Sequence, residues 1–87
     1  MPYEVRATAR FLKEFSKLDG EVQKRIKKKA GELSENPEAG VPLTAGLKGK
    51  WKLRVGDYRI VYVIDHEKLT VFLLAVGPRK NIYDRLE

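Results

Sequence analysis

Four cations stand where strand alternation decides what they can do. Lys50, Lys52 and Arg54 alternate with apolar residues along KWKLRV, and Arg59 follows within YRIVYVI. Gly56-Asp57 between them is a two-residue hairpin signal with glycine first, as a type II′ turn prefers. That turn sets Val55 against Tyr58, Leu53 against Ile60 and Trp51 against Tyr62. Alternate strand residues point the same way, so these six form one apolar and aromatic face. Lys50, Lys52 and Arg54 then share the opposite face with Arg59, Val61 and Val63, and Arg54 stands directly across from Arg59. Like charges so placed are destabilising. Extending the register through the loop DHEK adds Phe72, Leu74 and Val76 to the same face. A basic site over an apolar floor focuses its field on an anion, and anion binding is the chemistry these spacings offer.

Other residues add to this inventory. Arg79 and Lys80 follow the last strand, and Tyr83 comes four residues after Arg79. A tyrosine near an arginine cluster can stack on a base. The run KRIKKKA carries Lys24, Arg25, Lys27, Lys28 and Lys29, a solvated helix face or a dock for RNA backbone. The single histidine, His66, sits in a loop, so a mechanism built on two histidines is excluded. There is no glycine-rich phosphate loop, no G-x-S-x-G and no His/carboxylate spacing suited to a metal. Asp57, Asp65 and Glu67 are turn residues with ordinary turn roles.

The elements that position these residues are legible from periodicity. Residues 2–7, PYEVRA, read as a first strand. Thr8 is an N-cap for a helix over 9–18, with Phe11, Phe15 and Leu18 on one stripe. Asp19-Gly20 breaks it. A second helix over 21–35 carries Val22, Ile26, Ala30 and Leu33 on one face, and Asn36-Pro37 stops it. Residues 37–49 read as a long loop, either a functional rim or a wide crossing from helix to sheet. Three strands follow, then IYDRLE as a short C-terminal helix. The expected fold is therefore α+β: a β-α-α-β-β-β antiparallel sheet with a helical hairpin packed on one face.

Composition bounds the rest. The 87 residues fit one domain, 1–87. There is no cysteine, which excludes disulfides and thiolate metal sites and suits a cytoplasmic protein. The N-terminus has no apolar signal segment, and no window is apolar enough to span a membrane. Eighteen Lys and Arg against twelve Asp and Glu leave a net charge of +6. A small basic domain meets nucleic acid, anionic lipid or an acidic protein.

The run LKGKWKLRVGDYRIVYVI, followed by VGPRKNIY, resembles the RelE branch of the RelE/ParE toxin superfamily. The resemblance covers nearly the whole chain. It implies the toxin of a type II toxin–antitoxin pair that enters the A site of the small ribosomal subunit (30S) and cuts mRNA there. The implied reaction needs no metal and no cofactor. The ribose 2′-OH attacks the adjacent phosphate, leaving a 2′,3′-cyclic phosphate and a 5′-OH. Arg59 matches the family's strand arginine, Arg79 the arginine after the last strand, and Tyr83 the C-terminal tyrosine. Spacing from Arg79 to Tyr83 is shorter than in some relatives. The family's two strand lysines match Lys50 and Lys52 on an ungapped count, or Lys52 and Arg54 on aligning the preceding aromatic; Lys52 is in both.

That difference matters because arginine keeps its proton at any accessible pH and cannot be a base. Lys52, crowded by like charges, is the expected general base or proton shuttle, with Tyr83 as the rival. Arg54, Arg59 and Arg79 would stabilise the transition state. Lys48, Lys50 and Lys80, with Lys27 and Lys28 of the second helix, are the expected RNA contacts. Phe72, Leu74 and Val76 beside the basic rim are expected to take an amphipathic, acidic segment of the cognate antitoxin. The free toxin is expected to be a monomer. Two other functions fit the same fold: a ParE-like gyrase poison, and a non-catalytic module that binds RNA or antitoxin.

Overall fold

The structure is a computed structural model and describes residues 2–43 and 49–78. Its elements are β1 (Glu4–Ala7), α1 (Ala9–Ser16), α2 (Gly20–Glu32), β2 (Val41–Pro42), β3 (Trp51–Val55), β4 (Tyr58–Asp65) and β5 (Thr70–Pro78). The strands form one sheet in the order β1-β5-β4-β3-β2. The architecture is α+β, as expected, but the sheet is mixed. β1 lies parallel to β5 and the other pairs are antiparallel. A parallel neighbour needs a long connection, and between β1 and β5 it consists of the helical hairpin followed by β2, β3 and β4. Two-residue β2 lies inside the stretch read as loop; it pairs Val41 with Lys52 and Pro42 with Trp51.

Both helices start where their side chains cap them. Thr8 caps α1 by accepting from the Phe11 amide at 3.2 Å, and its hydroxyl donates to the Leu73 carbonyl at 2.9 Å. One residue thus ties the helix start to β5. Asp19, read as a helix breaker, also starts α2, accepting from the amides of Glu21 (3.0 Å) and Val22 (3.3 Å). Phe11, Val22, Ile26, Ala30 and Leu33 pack on Val55, Ile60, Tyr62, Val71, Leu73 and Val76, with Trp51, Leu53 and Tyr58 at the margin. The hairpin's apolar face is therefore the helix-facing face, as its parity requires.

β5 departs from the expected phase. Val61 pairs with Ala75 but Tyr62 pairs with Leu73, so Leu74 is the extra residue of a bulge. Beyond it every side chain changes face. Phe72 pairs with Val63 and stays with the cations. Val76 pairs with Ile60 and is 1 % exposed in the core under the helices. The expectation that Phe72, Leu74 and Val76 share one surface is corrected: Val76 cannot meet a partner there, and Leu74 sits at the bulge. Among the described residues, no helix is long and apolar enough to cross a membrane.

Candidate functional site

The site grows from the β3–β4 turn. Gly56 adopts φ +59°, a conformation natural to glycine, and Asp57 keeps negative φ, the combination of a type II′ turn. The expected register follows: Val55 against Tyr58, Arg54 against Arg59, Leu53 against Ile60, Lys52 against Val61 and Trp51 against Tyr62.

The two facing arginines both turn back onto the hairpin, Arg54 exposed and Arg59 buried. Arg59 Nη1 donates to the carbonyls of Gly56 (3.3 Å) and Tyr58 (3.0 Å). Arg54 Nε donates to the same Gly56 carbonyl at 3.4 Å. Arg59 is only 6 % exposed. A buried charge normally carries a counter-charge, because carbonyl dipoles replace lost hydration only in part. Arg6–Glu4, Arg10–Glu14 and Lys29–Glu32 form ion pairs, whereas neither Arg54 nor Arg59 forms one among the described residues.

Lys52, Arg54 and Arg59 line a groove of about 500 Å³ with Leu53, Ala39, Gly40 and Val41. Among the described residues, no carboxylate lines it. The opposite wall is the segment after α2, and Tyr62 holds it from the core side. The fully buried Tyr62 hydroxyl donates to the Pro37 carbonyl at 2.8 Å and accepts from the Gly40 amide at 3.0 Å. Burial pushes its pKa above the usual phenol value, the Gly40 hydrogen bond opposes this, and the charge of Glu38 adds to it. Gly40 comes so close to β3 that a Cβ would overlap the Lys52 carbonyl and approach the Tyr62 hydroxyl to 2.7 Å. Beside the groove, Val61 and Ala75 are buried on the cation-bearing face, with Leu43 packed on them. Ala75 and Leu43 escaped the sequence reading because the bulge sets the first, and no motif marks the second.

The structure brings together Lys52, Arg54 and Arg59. Lys50 immediately precedes β3, and its carbonyl accepts from the Leu43 amide at 2.8 Å. Lys27 and Lys28 lie on α2, in the helical layer behind the sheet, and the Lys27 ammonium sits 6.0 Å from the Phe15 ring centroid. Lys48, Arg79, Lys80 and Tyr83 lie outside the described residues. Pro78 pairs with Tyr58, so the chain leaves the described region next to the hairpin turn. His66 lies at the other end of β4, where Nδ1 is 2.8 Å from the Tyr3 hydroxyl. Among the described residues, no three His, Cys, Asp or Glu side chains are grouped to hold a metal ion. Chemically, the groove can bind an anion and stabilise charge on it with its arginines, whose guanidinium donors keep their protons.

Comparison with known proteins places the chain in a family. The family described as "ParE toxin of type II toxin-antitoxin system, parDE" matches residues 5–83. Toxin RelG of Mycobacterium tuberculosis is 39 % identical over 87 residues, spanning 98 % of this chain and 100 % of RelG. The mRNA interferase toxin RelE of Escherichia coli is 38 % identical over 83 residues, spanning 93 % of this chain and 87 % of RelE. A chain of the toxin–antitoxin complex RelBE2 from M. tuberculosis superposes with a TM-score of 0.85 at 37 % identity, covering 91 % of this chain and 93 % of that one.

Proposed function

The chain belongs to the ParE toxin family of type II toxin–antitoxin systems and is RelE-like within it, and from that premise we propose that it is a ribosome-dependent mRNA endonuclease. The observation that carries this reading is Arg59: a buried guanidinium with no carboxylate partner among the described residues, facing Arg54, on the wall of a groove that Lys52 also lines. The groove has the charge for a phosphodiester, and among the described residues neither Arg54 nor Arg59 spends its charge on an ion pair.

In the proposed reaction the ribose 2′-oxygen attacks the adjacent phosphorus as Lys52 takes its proton. The O2′–P bond forms and the P–O5′ bond breaks. Products are a 2′,3′-cyclic phosphate and a 5′-OH, whose oxygen takes its proton from water as the P–O5′ bond breaks, with no metal required. Arg54 and Arg59 stabilise the extra negative charge of the phosphorane. Arg79 assists the departing 5′-oxygen, and Tyr83 stacks on a base or is the alternative proton acceptor. Lys48, Lys50 and Lys80 guide the strand. The reaction takes place in the cytoplasm, in the 30S A site, where the ribosome positions the strand and so supplies orientation that so few acid–base groups cannot. A cognate antitoxin quenches it, as RelBE2 pairs a toxin with an antitoxin. Its acidic amphipathic segment docks beside the cations, with Phe72 and the bulge residue Leu74 as apolar contacts.

Primer extension on an mRNA in a reconstituted translation reaction tests this reading. Cuts at A-site codons with the wild type, lost in Arg59→Ala, are the expected result. The family description names ParE, and the competing reading is a ParE-like gyrase poison. Growth arrest without mRNA cuts, accompanied by gyrase-dependent DNA breaks, would establish that competitor instead.

A further inference from the structure

Both hydrogen-bonded arginines of the groove converge on the Gly56 carbonyl, and a third arrives from the helical layer. A Cβ built on Gly56 would lie 3.6 Å from Arg25 Nη1. Arg25 is thus the α2 cation that reaches the β3–β4 turn. Lys27 is turned toward Phe15 instead, and Lys29 pairs with Glu32 at 3.7 Å. Glu21 lies one turn earlier on α2 and Asp57 in the turn itself. Neither forms an ion pair with Arg25 among the described residues. Three guanidinium groups therefore surround one turn, and among the described residues no carboxylate is bound to any of them.

We propose that Arg25, Arg54 and Arg59 form a clasp around the Gly56–Asp57 turn for a backbone phosphate of RNA. The clasp joins the groove on one face of the sheet to the helical layer on the other. Guanidinium suits this task because its planar donors match phosphate oxygens and keep their charge. Arg54 Nε and Arg59 Nη1 are occupied by the Gly56 carbonyl, so the remaining donors of each fork are the ones that would meet the phosphate. RNA leaving the groove at the turn meets Arg25 next, then Lys28, three residues further along α2 and on the same side of the helix. The inference rests on the proposed nuclease reading and extends it, by giving the RNA a path and Arg25 a place on it.

The test compares wild type, Arg25→Ala, Arg25→Lys and the distant control Lys68→Ala. The first arm measures binding of a short 2′-O-methyl RNA, which cannot be cleaved, across a KCl titration. The second measures association with purified ribosomes over the same salts. Arg25→Ala is expected to weaken binding about three- to tenfold and to reduce the single-strand salt slope by about 0.7 for the lost phosphate contact. Arg25→Lys keeps the slope, and Lys68→Ala changes neither quantity. An effect in the first arm assigns the phosphate to the strand in the groove; an effect in the second arm alone assigns it to ribosomal RNA. Unchanged slopes for Arg25→Ala in both arms overturn the clasp. So does weaker binding at unchanged slope, which reports a structural role. Cleavage of mRNA by the same wild-type preparation is read alongside. Cleavage with unaltered Arg25→Ala slopes sinks the clasp alone, whereas absent cleavage sinks the nuclease reading and leaves the binding result to be judged by itself.

Discussion

Two basic hollows border the sheet, and they treat charge in opposite ways. Between α1 and the end of β5, Arg10, Lys13 and Lys17 surround Glu14 in a cavity of about 400 Å³. Glu14 Oε2 accepts from Arg10 Nε at 3.4 Å, and Oε1 accepts from the Val76 amide at 3.0 Å. That carboxylate therefore neutralises a cation and also covers a backbone donor on β5 beyond the reach of β1. In the groove at β3, carbonyl dipoles hold Arg54 and Arg59, which form no ion pair among the described residues, and Arg59 is buried. Cations held by an internal acid serve the fold. Cations held by dipoles keep an attraction left over for an external anion. Charge count alone would not separate the two places; the position of one carboxylate does.

The sharpest way to break this comparison is to remove one arginine from each hollow. Arg59→Ala is expected to slow mRNA cleavage by about 10²–10³-fold, the usual cost of losing one preorganised donor at a developing charge. Its folding stability should change by no more than about 1 kcal/mol, because relief of the Arg54 repulsion offsets the lost carbonyl bonds. Arg10→Ala should leave cleavage within about twofold while weakening the fold slightly, as exposed pairs do. Rates from primer extension and midpoints from urea unfolding supply both numbers. Equal losses of activity in the two variants would erase the distinction.

The groove's far wall gives the next largest effect. Gly40→Ala would force a methyl group onto the Lys52 carbonyl, which β3 cannot move without breaking its pairing to β2. The expected cost is about 1–3 kcal/mol, the range for overpacking. Gly31→Ala, on α2 where a Cβ meets nothing within 4 Å, should instead be neutral or stabilising. A small Gly40→Ala effect in urea unfolding would mean that this wall stands further from β3.

What the sequence revealed, and what it hid, follows the same division. The hairpin was legible because Gly56-Asp57 pins the register and alternation does the rest, down to Arg54 facing Arg59. β5 was legible as a strand and illegible in phase. In LTVFLLAV every residue but Thr70 is apolar, so no polar position marks where the bulge at Leu74 inverts the faces, and Val76 was assigned to the wrong one. The mixed character of the sheet was hidden because strand patterns carry no direction. β2 was hidden because two residues, one of them proline, have no period. Arg25 was visible only as one of five cations in KRIKKKA; nothing in that run says which of them reaches the turn. The expectations for Arg79 and Tyr83 rest on the resemblance and lie outside the described residues.

Glu14 offers a smaller and more pointed test of the acid-bearing hollow. Glu14→Ala leaves the Val76 amide without its acceptor and should cost about 1–2 kcal/mol. Glu14→Gln keeps a carbonyl oxygen for that amide and should recover more than half of the loss. Equal destabilisation by both variants would show that the charge, and not the hydrogen bond, is what the fold uses there. Neither variant should alter the salt dependence of RNA binding.

The smallest expected effect is a pH dependence on the other side of the comparison. Tyr62 holds the groove wall as a neutral phenol, and burial raises its pKa in the folded state above the unfolded value of about 10. The folded state therefore retains the proton more strongly. Stability from this source is fully present below the unfolded value and is lost as pH rises through the folded one, with a slope of at most about 1.4 kcal/mol per pH unit for one group. Tyr62→Phe lacks the titrating group and also the bonds to Pro37 and Gly40, so wild type should be the more stable protein at pH 7. Above pH 10 the two stabilities should converge, because only wild type must keep a phenol protonated against rising pH. Unfolding curves for both proteins between about pH 8 and 11 measure that convergence, since unrelated tyrosines and lysines titrate equally in each. A gap that stays constant across the range would mean that the hydroxyl is solvated, and that something other than Tyr62 keeps the wall of the groove in place.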